Sequence, residues 1–325
     1  MRDLDGVEVV PEPLGGTSAA IGDRTAYVLQ EAVSPASLGA AVVHALRSSA
    51  SRLVLFADDG ADVAARLAAR FDRGPSIEVR AVDGATSSPA VPEGLSVVLP
   101  GPDGVEALLD RLRSAGLETV LEAGVWRGEL LGLEVARIVL WPIETGGDGT
   151  FHIEAGVGRF DRDATAAMHG GESTDAALER VIGTVSAQRH RGATGHPMCR
   201  LARSRWLRAE ALADPALVGA GDLYPVESSF VADSVREERP AAAHGTTADG
   251  EPVVVVFGSG LPLELVPVAL DVREMHDPGV LLRVVVPPRD RLGVTEDLLV
   301  IADPTGGPVE LVTLDPPWGT GDGDG

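Results

Sequence analysis

A chain of 325 residues with a formal net charge of −22 is too long for one ordinary core. It suits two domains, or one large α/β domain with an insertion. No apolar run reaches bilayer length, and the start, Met1-Arg2-Asp3-Leu4-Asp5, lacks a basic-then-apolar export pattern. The single cysteine, Cys199, rules out an internal disulfide, and the expectation is a cytoplasmic protein that repels anionic membrane and nucleic acid. All 27 basic side chains are arginine, which removes lysine chemistry: no Schiff base, no Walker-type phosphate lysine, no lysine general base.

In chain order, residues 1–23 read as an irregular lead-in broken by Pro11, Pro13, Gly15 and Gly16. An N-terminal α/β unit over 24–115 follows, with strands at 24–29, 52–57 and 76–82 alternating with helices at 35–47 and 61–71. A Gly/Ser/Pro stretch at 84–94, a strand at 94–99 and a helix at 104–115 complete it. Residues 116–222 change character, with closely spaced strands at 118–126, 130–141 and 150–157 predicting an antiparallel meander. Helices at 174–188 and 197–213 come next. Polar, Pro-punctuated 223–250 reads as a linker. The C-terminal unit at 251–316 returns to strand-helix alternation, with strands at 252–257, 280–286 and 309–314 and helices at 263–276 and 294–302. A Gly/Asp-rich tail at 317–325 reads as disordered. The fold class expected is α/β, with Rossmann-like βαβ units at both ends flanking a central meander and an arginine-rich helical segment.

A nine-residue stretch occurs twice. Leu121-Glu122-Ala123-Gly124-Val125-Trp126-Arg127-Gly128-Glu129 returns as Ile153-Glu154-Ala155-Gly156-Val157-Gly158-Arg159-Phe160-Asp161. Along one strand, Glu122 and Arg127, five apart, would point to opposite faces unless a glycine bulge intervened. Gly128-Glu129 reads as a two-residue hairpin turn, which sets Glu122 and Glu134 on different faces; a three-residue loop would set them opposite each other. If Glu122, Glu134 and Glu154 converge, they form an oxygen site for Mg²⁺ or Mn²⁺, with Arg137 and Arg159 stabilising charge. The competing reading pairs each acid with an arginine as architecture, since buried charges need partners.

This layout of acids on a meander followed by helices resembles, over 116–162, the core of the PD-(D/E)xK nucleases. The resemblance implies a metal-dependent phosphodiesterase. Those enzymes need a lysine two residues after the acid; here Val135 and Ala136 follow Glu134, and Arg137 comes one position late.

Between 187 and 209 lie Arg189, Arg191, Arg200, Arg203, Arg205 and Arg208 without a single acid. Arg189, Arg200, Arg203 and Arg208 are candidates for a phosphate-bearing ligand, or else for pairing with the protein's own carboxylates. Gly258-Ser259-Gly260 after a strong strand is a weak anion-cradle pattern, because Leu263 stands where a third glycine is needed. Two functions stay open: a metal-dependent phosphodiesterase with a degenerate site, or a non-catalytic α/β protein that binds a small molecule or partner.

Overall fold

The computed structural model describes residues 10–14, 17–143, 148–158, 173–232, 234–261, 263–302 and 306–319. Among them the chain is mixed α/β, with parallel and antiparallel strands and seven α-helices. It divides into two compact units: 1–96 with 260–312, and 97–259 with 313–325.

The first unit opens with β1 (Val10–Leu14), β2 (Thr17–Gly22) and β3 (Thr25–Ala32), a meander of antiparallel neighbours. The lead-in expected to be irregular therefore holds two strands. Prolines 11 and 13 sit in the outermost one, where a missing ladder donor is tolerated. Helix α1 (Pro35–Arg47) starts where the sequence says it should. Ser34 and Ser37 form a reciprocal cap, Pro35 occupies the first turn, and Leu38, Ala41, Val42 and Ala45 supply the buried stripe. Strand β4 (Arg52–Asp59), helix α2 (Ala61–Ala68) and β5 (Ser76–Asp83) continue, with β3, β4 and β5 parallel and adjacent. The Leu53–Ala57 run is wholly buried, as the interior strand of a parallel sheet requires. β6 (Thr86–Pro89) closes this sheet as a hairpin on β5. The expected strand at 94–99 does not form; the segment is unpaired and exposed.

The second unit holds helix α3 (Glu106–Ser114) and an antiparallel meander of β7 (Glu118–Glu122), β8 (Val125–Leu130), β9 (Leu133–Leu140) and β10 (Phe151–Ala155). Its first two turns are Ala123-Gly124 and Leu131-Gly132. Both residues of each turn have left-handed φ (50° and 73°; 51° and 74°), the twist that tight hairpins need. The turn expected at Gly128-Glu129 is therefore absent: both residues lie inside β8, opposite Ala136 and Glu134. Gly128 is glycine for a tertiary reason, since a Cβ there would meet Leu117 at 3.0 Å, Leu112 at 3.3 Å and Ala136 at 3.4 Å.

Helix α4 (Thr174–Gln188), capped by Ser173, packs with α3 on one face of this sheet. There Leu109, Leu112, Leu133, Val135, Ile138, Leu178, Val181 and Val185 form an apolar core. Helix α5 (Arg203–Ala213) follows a single 3₁₀ turn at Pro197–Arg200 and meets the meander across its charged residues. The expected linker 223–250 carries strands β11 (Ala220–Val226) and β12 (Ala241–Thr247). With β13 (Pro252–Phe257) they form an antiparallel succession against which α5 also packs. Within the expected tail, residues 317–319 are ordered. Gly192 N–H donates to Pro317 O at 2.7 Å, Gly319 N–H to Ala193 O at 3.0 Å, and Trp318 is buried with its ring 5.7 Å from that of Trp206.

The chain then returns to the first unit with α6 (Leu265–His276), β14 (Leu281–Val286), α7 (Gly293–Val300) and β15 (Val309–Thr313). Helix α6 packs on α1 and α2, and its buried Asp271 is bound by the equally buried Arg66. Both ends of the chain thus share one element order: three strands, helix, strand, helix, strand. In each, the first three strands pair antiparallel in succession.

Candidate functional site

The geometry of the charged face follows from the two hairpins. The turn at Ala123-Gly124 pairs Glu122 with Val125, Val120 with Arg127 and Glu118 with Glu129. Glu122 and Arg127 consequently share a face, because the chain reverses between them. Between β8 and β9 the register shifts next to Gly128, so that Arg127 stands opposite Arg137 and Glu129 opposite Glu134. A bulge of this kind brings Glu134 and Arg137, three residues apart, onto the same side. Neither expected register holds. Glu122 and Glu134 share a face, but the residue opposite Glu134 is Glu129.

Three glutamates and three arginines close a network on that face. Arg127 bridges Glu122 (3.3 Å) and Glu134. Arg205 reaches Glu122 at 2.8 Å and Glu129 at 2.7 Å, and Arg208 reaches the other Glu129 oxygen at 2.7 Å. Solvent is nearly excluded: Glu122 is 3% exposed, Glu129 0%, Glu134 5% and Arg208 1%. Burial by itself would raise the Glu129 carboxyl, but the charges and hydrogen bonds of Arg208 and Arg205 outweigh it and hold the group below its usual range. For Arg205, burial works against the cation, yet Glu129, Glu122 and Glu134 together raise its value.

Helix α5 delivers both arginines from one turn, and three features fix that delivery. A Cβ on Gly132 would come within 2.3–2.5 Å of the Arg205 and Trp206 backbone, so only glycine lets α5 sit on that hairpin. Arg189, fully buried, donates to the carbonyls of Leu131, Met198, Leu201 and Ala202, and its guanidinium lies 4.1 Å from the Trp206 ring centre. Finally, Glu238 accepts from the Arg203 and Ser204 N–H groups at 2.9 and 2.6 Å, capping the helix from a distant loop. Burial raises the Glu238 carboxyl despite these bonds.

The remaining candidates fall elsewhere. Glu154 lies opposite Arg137 and is held by it at 2.9 and 3.0 Å, with its side chain 31% exposed. Arg159 lies outside the described residues. Glu122, Glu134 and Glu154 are thus each held by an arginine, and among the described residues no group of three or more His, Cys, Asp or Glu is placed to hold a metal ion. The first copy of the nine-residue stretch straddles a hairpin, whereas the second runs along β10 and leaves it at Gly156.

Of the arginines considered for phosphate, Arg189 and Arg208 are buried and committed. Arg203 donates to Cys199 O and lies 4.9 Å from the Trp318 ring centre, and Arg200 is exposed. In the Gly-Ser-Gly segment, Ser259 N–H donates to Ser204 Oγ. Cys199 is buried, its thiol donating to Gln188 O.

Glu129, the centre of the network, stands where the sequence predicts a turn, which hides its place on a strand face. Period-two spacing of Glu118, Val120 and Glu122 was the available signal for a charged strand face. Among the described residues, no helix is long and apolar enough to cross a membrane. Comparisons with protein-family models, curated proteins and solved structures find no match.

Proposed function

We propose that the chain is a non-catalytic α/β binding protein in which the Glu/Arg network is architecture. The observation that carries this reading is Glu129, fully buried and gripped by Arg205 and Arg208 from the helix that covers it. A carboxylate clamped on both oxygens by arginines is poorly suited to serve as a ligand or base, and the clamp fastens α5 to the meander.

Charge bookkeeping supports binding through the exterior. Among the described residues, five buried arginines (66, 189, 208, 273 and 283) are balanced in number by five buried acids, Glu122, Glu129, Glu134, Glu264 and Asp271. Burial of charge among the described residues therefore takes none of the negative excess of a chain with net charge −22 off the surface, which favours partners carrying positive charge over phosphate-bearing ones.

Thermal unfolding with and without Mn²⁺, for wild type and Glu134→Gln, tests the reading. The expected outcome is no Mn²⁺ effect on wild type and a metal-independent loss in the variant, since Arg127 is left underpaired. Stabilisation of wild type by Mn²⁺ that the variant loses would establish a metal site instead.

A further inference from the structure

We infer that Glu118 is a proton-responsive latch on the meander: protonated, it lets the carboxylate row across β7, β8 and β9 stay closed, and ionised, it loosens that row. The row of carboxylates Glu118, Glu129 and Glu134 runs directly across β7, β8 and β9. Like charges so placed repel. The network's three arginines are committed elsewhere: Arg127 to Glu122 and Glu134, Arg205 to Glu122 and Glu129, and Arg208 to Glu129 and Ala242 O. Glu118 Oε2 is buried with no hydrogen-bond partner, so the row is one cation short at this end.

Among the described residues, the other elements packed on β7 do not supply that cation. On α3, Arg113 pairs with Asp110 and donates to Thr119, Arg111 pairs with Asp175, and Glu106 is exposed. On β11, Asp222 is bound to Thr246 and Tyr224 to His244. What Glu118 feels is burial first, then the Arg208 charge opposing and the Glu129 charge reinforcing it, and its carboxyl is pushed up to about 7. A carboxyl raised on folding leaves stability at its fullest below the ordinary value of 4.5. Stability then falls as pH rises towards the folded value near 7 and is level above it.

The latch rests on the architectural reading of the network, whose own failure would appear as Mn²⁺ stabilisation and not as a missing pH step. The test is amide exchange of the full chain, corrected for intrinsic rates, over 118–130 and 203–213 from pH 5.5 to 8.5. Between pH 6 and 8, wild-type amides in both segments that exchange through unfolding of the unit are expected to lose about tenfold in protection, the linkage consequence of that raised carboxyl. Glu118→Gln, which mimics the protonated form, is expected to abolish the step. Unchanged protection in wild type, or an equal step in Glu118→Gln, overturns the inference. A direct measurement needs no variant: the Glu118 carboxyl carbon should titrate near pH 7, and a midpoint below 5 overturns the proposal.

Discussion

Replacing Arg208 by methionine keeps most of the side-chain volume while removing the cation. Glu129, wholly buried, would then retain Arg205 among its described partners, the Ala242 carbonyl would lose a donor, and Glu118 would lose a positive charge acting on it. Stranding a buried charge by deleting its partner costs about 3–5 kcal/mol, against a typical total stability of roughly 5–15 kcal/mol. For a unit of this size the midpoint should fall by roughly 6–20 °C. All four tryptophans, at 126, 141, 206 and 318, lie in the second unit, so their fluorescence follows that unit's unfolding without interference from the first. Denaturant titrations of wild type and Arg208→Met should show the loss at unchanged slope. A loss under about 1 kcal/mol, the scale of an exposed ion pair, would refute the reasoning.

Gly132→Ala should destabilise the second unit by more than about 2 kcal/mol, because φ is +74° and the added Cβ would push on the Arg205 backbone. A neutral result in the same titration would mean that α5 does not sit on that hairpin. Glu238→Ala removes the cap from the first turn of α5 and should cost about 0.5–2 kcal/mol, with faster amide exchange at Arg203 and Ser204. Exchange there at the wild-type rate would show that the cap is dispensable.

Much of the fold was legible because local chemistry and tertiary demand agree. Ser34-Pro35 ahead of a helical apolar stripe specifies α1, and the uninterrupted apolar runs of β4 and β13 can only be interior strands. The misread segments are those where a tertiary fact overrides composition. Alanines 241–243 and Gly245 have little strand propensity, yet β12 is buried between two neighbours, so burial decides. Gly128 looks like a turn residue but is glycine to admit Leu112 and Leu117. That one misplacement hid Glu129 and with it the centre of the network. Glu122, Glu134 and Arg208 were visible as unusual charges. Which arginine meets which acid depends on turns at 123–124 and 131–132, and on a helix that arrives more than seventy residues later.

The central claim is that buried acids and arginines on the meander act as pairs within one structural unit. A double-mutant cycle on Glu129→Gln and Arg208→Met measures this directly. If the claim is right, each single change costs several kcal/mol and the double variant is less destabilised than their sum by more than about 1.5 kcal/mol. Additive losses, agreeing within about 0.5 kcal/mol, would contradict it.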